Sequence, residues 1–282
     1  MSVINTNVNS LNAQNALSVN RRIMTSTMDQ LSTGRRVTSS KDDAAGVAVI
    51  NTMTSQIRGL NQAVRNANDG ISMLQTADGA MIEQTNLLQR MRELAVQSAT
   101  DTVTNSQKGY LDIEYQKLLS EIDRIGGMTQ WNDTKILDGA TAPASGTAGT
   151  YVFHVGAQDA QTITVKFKGA ISTAGGIFAD TGGTDIQTDV KANTAITKID
   201  LSFKELNSAR AEIGATINRL TYAADNLSNV STNTAGSRSR IQDTDYAVAA
   251  AELARTQIIQ QAGTAMLAQA NQAPQSVLAL LK

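Results

Sequence analysis

The sequence contains no cysteine and only two prolines, Pro143 and Pro274. Without thiols the chain can form neither disulfides nor thiolate metal sites, and this absence fits both a reducing compartment and an exported protein. Proline inside a helix removes a hydrogen bond and clashes with the preceding turn. Two long proline-free stretches therefore leave room for long helices.

Aromatic residues are also scarce. They make up 4% of a chain that is 41% hydrophobic, so the core must consist mainly of Ala, Leu, Ile, Val and the nine Met residues. Small and unbranched side chains of this kind suit closely packed helices.

Strong net charge and long apolar runs are missing as well. The formal net charge is −1, and no basic patch creates the field that nucleic-acid binding requires. A membrane span requires a run of about eighteen apolar residues, and the sequence contains none. The first twenty residues have neither the basic start nor the apolar stretch of a cleaved secretory signal.

No group of residues has the spacing of a catalytic or metal site. Asp42 and Asp43 are adjacent, so on a helix they would point about 100° apart, and we interpret Ser40 and Asp43 as a capping box that starts a helix. His154 is the only histidine, which disfavours zinc. The glycine clusters match neither phosphate-binding nor dinucleotide-binding motifs. We therefore predict no catalytic residues, no cofactor and no metal.

Two stretches repeat apolar residues in alternating steps of three and four, the spacing of a coiled-coil seam. The first series is Met53, Ile57, Leu60, Val64, Ala67, Ile71 and Leu74, and the second is Leu206, Ala209, Ile213, Thr216, Leu220, Ala223, Leu227 and Val230. An exposed seam of this length is unfavourable, so we expect the two arms to pair antiparallel. The prediction is a mainly α protein, a long antiparallel coiled-coil helical rod built from both chain ends. A helix over 44–99 would be about 80 Å long.

The middle of the chain has a different pattern. In "YVFHVGAQDAQTITVKFKG" apolar residues alternate with polar ones, which predicts a small β-hairpin insertion with its turn at 156–161. The stretch "TAGGIFADTGGTD" has the composition of a surface loop.

Each end of the chain predicts one more amphipathic helix, over 6–32 and 244–281. Their apolar stripes are too narrow to be stable alone in water, but packing against identical copies would bury them. A contact that does not close on itself generates an open helical polymer. The residues expected to carry assembly are Leu17, Met24, Leu31, Ile258, Met266, Val277, Leu278 and Leu281, with Met28 on the same predicted stripe as Leu17.

The stretch "LLQRMRELAVQSATDTVTNSQ" begins as an amphipathic helix and ends in polar residues. Leu94 sits at the edge of its apolar face, so we expect Leu94 to lie at the surface and to pack against a neighbouring subunit.

Several long segments resemble bacterial flagellin: "INTNVNSLNAQNAL", "LSTGRRVTSSKDDAAG", "NANDGISMLQTADGA", "LQRMRELAVQSA", "EIDRI" and "NQAPQSVLALLK". The resemblance covers about 1–137 and 200–282. It implies an inner tube domain from 1–40 plus 240–282 and a coiled-coil rod domain from 41–137 plus 190–239. Residues 138–189 would form a β-hairpin and flexible loop at the end of the rod, which is too short for large outer domains.

The resemblance also implies a function, namely a structural subunit that polymerises into the helical flagellar filament and is secreted through a type III apparatus to the cell exterior. Implied partners are further copies of the chain, the hook-associated junction and cap proteins, an export chaperone at the C-terminal segment, and the flagellin-sensing Toll-like receptor of animals. The receptor site would comprise Gln89, Arg90, Leu94 and Glu114. A hook-filament junction protein is the alternative, and an enzyme is a distant third.

Overall fold

The computed structural model describes residues 6–138, 149–167 and 184–279, with the backbone alone from 273 onward. These residues form five helices, α1 (Val8–Thr33), α2 (Ala44–Ser98), α3 (Asn105–Met128), α4 (Asp189–Gln242) and α5 (Tyr246–Ala279). They also form four short strands, β1 (Gln130–Trp131), β2 (Thr134–Lys135), β3 (Thr150–His154) and β4 (Thr162–Lys166). The predicted mainly α class is confirmed.

The chain divides into two compact units. The smaller unit combines residues 1–56 with 232–282, and the larger unit spans 57–231. The finer domain boundaries expected from the resemblance stay a prediction.

The start of α2 differs from its prediction. The Asp43 carboxylate accepts a hydrogen bond from the Gly46 amide at 2.8 Å, so Asp43 is itself the cap and the capping box from Ser40 to Asp43 is wrong. Asp42 instead accepts hydrogen bonds from the hydroxyl and amide groups of Thr38 and Ser39. These bonds, led by that of the Thr38 hydroxyl, lower the pKa of the Asp42 carboxyl.

In the larger unit α2 and α4 run antiparallel, as the seams predict. Side-chain hydrogen bonds between them show this direction: Ser231 donates to Asn61 at 2.9 Å, Arg210 to Asp78 at 2.8 Å and Arg92 to Asp200 at 2.8 Å. Arg92 lies 31 residues after Asn61, and Asp200 lies 31 residues before Ser231. Along these contacts the residue numbers rise on α2 and fall on α4 by the same amount, as in an antiparallel pair.

The core of the larger unit contains most of the seam positions. Leu60, Leu74, Leu206, Ile213, Leu220 and Leu227 are buried, whereas Ile57, Val64 and Ile71 are partly buried. Val230 is 42% exposed, so its place in the seam is wrong. Ala63, Met73, Ala77 and Met81 are buried as well. The apolar stripe of α2 is wider than a two-helix seam because α2, α3, α4 and the β3–β4 hairpin contribute to one core.

The predicted β-hairpin is confirmed. Strands β3 and β4 pair antiparallel, with Tyr151 opposite Val165 and Phe153 opposite Ile163. The hairpin lies against α2, where Asn66 donates to the His154 carbonyl at 3.1 Å. A Cβ atom at Gly70 would meet the Phe153 ring at 2.9 Å, so glycine permits this close approach. Most of "TAGGIFADTGGTD" lies outside the described residues.

In the smaller unit α1 and α5 run antiparallel through a heptad seam of their own. Buried and half-buried positions recur in steps of three and four at Ser10, Ala13, Leu17, Asn20, Met24, Thr27 and Leu31 on α1, and at Ala249, Leu253, Thr256, Gln260, Gly263, Leu267 and Ala270 on α5. This spacing is that of a coiled coil. The first and the last helix of the chain therefore pair with each other, as predicted.

Candidate functional site

The α1–α5 pair exposes an unusual number of large apolar side chains on the helix faces away from its seam. We call this set the terminal apolar surface. It consists of Val8, Leu11, Val19, Ile23 and Met28 on α1, and of Tyr246, Val248, Ile258, Ile259 and Met266 on α5, all more than 40% exposed. Exposed large apolar side chains gathered on two paired helices indicate an interaction site.

The residues predicted to carry assembly fall into three groups. Ile258 and Met266 belong to the terminal apolar surface. Leu17, Met24 and Leu31 are half-buried seam positions. The side chains of Val277 and Leu278, and all of Leu281, lie outside the described residues.

The sequence pattern placed Met28 on the same stripe as Leu17, and this prediction is wrong. It is 53% exposed, because the seam of α1 passes through Thr27 and Leu31 and leaves Met28 on the outer side.

A ridge of charged and polar side chains on α2 and α3 is the second candidate site. Arg90 donates through Nε to Glu114 at 2.9 Å and through a terminal nitrogen to Glu93 at 3.1 Å. These carboxylates raise the pKa of the Arg90 guanidinium, and the hydrogen bond with Glu114 is the largest cause. Gln89 is exposed beside them. We call Gln89, Arg90, Glu93 and Glu114 the charged ridge.

Leu94 is not part of this surface, so its predicted place at the exposed edge is wrong. Its side chain is 1% exposed and lies in the core of the larger unit with Leu88, Met91 and Ala95. A position at the edge of a two-helix stripe becomes interior when a third helix contributes to the same core. Of the four residues predicted for receptor binding, the structure joins Arg90 with Glu114, leaves Gln89 exposed and buries Leu94.

A polar clamp between α3 and residues 184–187 was missed by the sequence analysis. The Asp112 carboxylate accepts from the Ile186 amide at 3.0 Å and from Gln187 at 2.9 Å. Tyr115 shares a 3.0 Å hydrogen bond with the Thr184 hydroxyl, and burial raises the pKa of this phenol. The available sequence signal was that Asp112 and Tyr115 lie three residues apart, which places them on one face of α3.

The clamp is structural in character, because its polar groups satisfy one another and hold the segment that leads into α4. Within 6–138, 149–167 and 184–279 there is no cluster of three His, Asp or Glu side chains suited to a metal ion. Among the helices in these ranges, none is long and apolar enough to cross a membrane.

Two family models match the chain at its two ends. The model for the bacterial flagellin N-terminal helical region matches residues 4–142, and the model for the bacterial flagellin C-terminal helical region matches residues 196–281. Together they cover α1, α2, α3, most of α4 and all of α5.

Relatives of known identity match over the whole length. A flagellin of Halalkalibacterium halodurans is 41% identical over 280 residues, which are 99% of this chain and all of the relative. The flagellar filament 33 kDa core protein of Treponema phagedenis is 40% identical over 287 residues, with 99% of this chain and all of the relative covered. The crystal structure of Bacillus cereus flagellin is 34% identical, with a TM-score of 0.49 over 58% of this chain and 88% of that one. On the two family models and the full-length relatives, the chain belongs to the bacterial flagellin family.

Proposed function

We propose that this chain assembles into the flagellar filament through the terminal apolar surface, with α1 and α5 as the assembly core. Membership in the flagellin family makes the chain a structural subunit of the extracellular filament and not an enzyme. What remains to be assigned is the part of the subunit that drives polymerisation.

The observation that carries this proposal is the concentration of exposed large apolar side chains on the terminal helices. Complete burial of one such side chain stabilises by roughly 1.5–3 kcal/mol. Even half of that amount for a few side chains would give several kcal/mol per subunit, before the cost of ordering is subtracted. A repeated head-to-tail contact that does not close on itself would extend into a filament.

Seeded elongation tests the assignment of the chain as a filament subunit. Purified protein is added to short filament fragments and observed by electron microscopy. We expect fibres that lengthen with time to micrometres. A hook-filament junction protein would cap the fragments without elongating them, so growth that stops at once would favour that alternative.

We also propose the finer layout implied by the family. Residues 1–40 with 240–282 would form the inner tube, 41–137 with 190–239 the rod, and 138–189 its outer end. The chain would leave the cell through a type III apparatus and meet the junction and cap proteins at the filament ends. An export chaperone would cover the C-terminal segment before assembly, since Val248, Ile258 and Ile259 are exposed there.

Truncation tests the chaperone assignment. The full chain and a variant without residues 246–282 are compared for co-purification with the export chaperone of the same bacterium. We expect the truncated chain to lose the chaperone. Equal recovery with both chains would place the chaperone elsewhere.

Finally, we propose that the Toll-like receptor binds the monomer at the charged ridge. Arg90 and Glu114 support this because they are exposed and form an ion pair at 2.8 Å, and Gln89 is exposed next to Arg90 in the sequence. An arginine is a frequent centre of a binding site. We leave Leu94 out of this proposed surface because it is buried in the core.

The receptor proposal is tested by Arg90→Ala, with Arg124→Ala as the matched control. Arg124 is also exposed, lies on α3 and pairs with a glutamate, Glu121. In receptor-reporter cells we expect loss of signalling from Arg90→Ala and full signalling from Arg124→Ala, with equal thermal melting of both proteins. Equal signalling from both variants would remove the ridge as the receptor site.

A further inference from the structure

Methionine is the most readily oxidised side chain of this protein. The chain contains nine methionines and no cysteine, whose thiolate would otherwise react with a peroxide first. A peroxide converts the methionine thioether into a sulfoxide, and an apolar, flexible side chain thereby becomes a polar one. The position of each methionine therefore decides what oxidation does to the molecule.

The methionines in the described part of the chain differ in their access to solvent. The protected ones, at most 5% exposed in the core of the larger unit, are Met73, Met81 and Met91. Met24 and Met53 are half-buried. Met28, Met128 and Met266 are 53%, 66% and 65% exposed. A peroxide in water reaches these three directly, whereas it reaches a core methionine only when the core opens.

Two of the three exposed methionines belong to the terminal apolar surface. Met28 lies on the outer side of α1. Met266 lies seven residues after Ile259, so these two side chains share a heptad position on α5. Met266 also lines an open groove together with Asn12 and Ala13 of α1. Because Met28 and Met266 lie outside the α1–α5 seam, their exposure does not require the two helices to be paired.

The third exposed methionine provides a comparison within the same chain. Met128 is the last residue of α3 and belongs to the larger unit. It is as exposed as Met266, but it is not part of the terminal apolar surface. Oxidation at Met128 should therefore be as fast as at Met266, without the same consequence for assembly.

We propose that Met28 and Met266 are oxidation sites at which hydrogen peroxide stops the assembly of the free subunit. This inference rests on the proposed function, because it requires the terminal apolar surface to be the assembly contact. In the reaction, one peroxide oxygen forms a bond to the methionine sulfur as the O–O bond breaks, and the other oxygen leaves as water. The sulfur loses an electron pair, and the peroxide is reduced.

A sulfoxide on the terminal apolar surface opposes contact with a neighbouring subunit. Its oxygen is a hydrogen-bond acceptor, and the aliphatic side chains of this surface, such as Ile258 and Ile259, have no donor. A neighbour that covers the sulfoxide would leave this acceptor without a partner, which is destabilising. In the filament, by contrast, the neighbour would already cover Met28 and Met266 and exclude the peroxide. The reaction therefore acts on the free subunit.

Peptide mass spectrometry maps the oxidation sites. The natural chain is treated with hydrogen peroxide for increasing times, and the peptides that gain the mass of one oxygen atom are quantified. We expect Met28, Met128 and Met266 to oxidise at least about tenfold faster than Met81 and Met91, because these two are fully buried. Equal rates for Met266 and Met91 would overturn the assignment.

Seeded elongation measures the consequence for assembly. Each chain is treated with hydrogen peroxide, separated from it and added to untreated filament fragments, and its rate is compared with its own untreated rate. The natural chain should slow by at least about tenfold, and so should Met128→Leu. A chain with Met28→Leu and Met266→Leu should keep at least about half of its own rate, because leucine is apolar, similar in volume and unable to form a sulfoxide.

Enzymatic repair tests the same step in the natural chain. The oxidised protein is incubated with the two methionine sulfoxide reductases, one for each sulfoxide epimer, and with a thiol reductant. The oxygen leaves as water, and the thiol is oxidised to a disulfide. Repair should return at least about half of the elongation rate, and the thiol without the enzymes should return none. The protein has no disulfide on which the thiol could act.

Peroxide sensitivity that persists in the Met28→Leu, Met266→Leu chain would overturn the inference, and so would full resistance of Met128→Leu. If the chain with both leucines does not elongate even before treatment, repair of the natural chain decides, and a rate that fails to recover counts against the proposal. If the untreated natural chain does not elongate, the proposed function fails, while the peptide map still decides whether Met28 and Met266 are oxidation sites.

Discussion

Replacement of Leu94 by alanine distinguishes a core residue from a surface contact. Leu94 is 1% exposed in the core of the larger unit. Removing three carbon-sized groups costs about 2.4 kcal/mol of transfer free energy. The cavity left behind adds to this, and measured Leu→Ala changes in cores lie at about 2–5 kcal/mol. We therefore expect Leu94→Ala to lower the free energy of unfolding of this unit by about 3 kcal/mol.

Val96→Ala is the matched control, since Val96 is two residues further along α2 and is 48% exposed. Its effect should stay within about 0.5 kcal/mol. Urea unfolding is followed through Trp131, the only tryptophan of the chain, which packs against the same core. With a denaturant slope of about 3 kcal/mol per molar, the midpoint of Leu94→Ala should drop by about 1 M. Equal midpoints for both variants would refute the assignment of Leu94 to the interior.

Two further predictions concern the larger unit. Gly79→Ala should raise its thermal midpoint, because alanine adds up to about 1 kcal/mol of helix propensity and the added carbon meets no atom within 4 Å beyond its own helix turn. Gly70→Ala should lower it, because the added carbon meets Phe153 at 2.9 Å, and equal shifts would contradict this packing. Burial raises the pKa of Tyr115, so the unfolded state loses the phenol proton at a lower pH than the folded state. The free energy of unfolding therefore keeps its full value below about pH 10 and falls as the pH rises above it. Tyr115→Phe should therefore flatten the alkaline loss of stability more than Tyr222→Phe does, Tyr222 being 75% exposed; identical pH profiles would contradict it.

The heptad pattern predicted the pairing of α2 with α4 because their seam is made of large apolar residues. The same reasoning failed for Leu94, since the pattern of one helix does not reveal how many partners cover it. Once α3 and the hairpin also pack on α2, edge positions become interior.

The α1–α5 seam could not be recognised from hydrophobicity, because Ser10, Asn20 and Thr27 occupy its buried positions. Several apolar residues of α1, such as Ile23 and Met28, instead point away from its partner. The apolar content of α1 and α5 therefore predicted that both helices bury apolar surface, but it did not predict which face of each helix packs against the other.

Helix starts show a similar limit. Asp43 could cap α2 alone or return a bond to Ser40, and the second possibility was wrong. The capping box that does form, between Thr104 and Gln107 at the start of α3, has the Thr and Gln of the usual motif. It was missed because the polar residues around it resemble a loop.

Seeded elongation by two matched variants tests the central claim most directly, namely that the terminal apolar surface drives polymerisation. One variant carries Ile258→Asp and Met266→Asp on α5, and the other carries Val152→Asp on the β-hairpin, where Val152 is 45% exposed. Elongation is measured as fibre length in electron micrographs. The account predicts that the α5 variant does not extend the fragments, while the hairpin variant extends them at the rate of the unmodified chain. Equal elongation by both variants would contradict it.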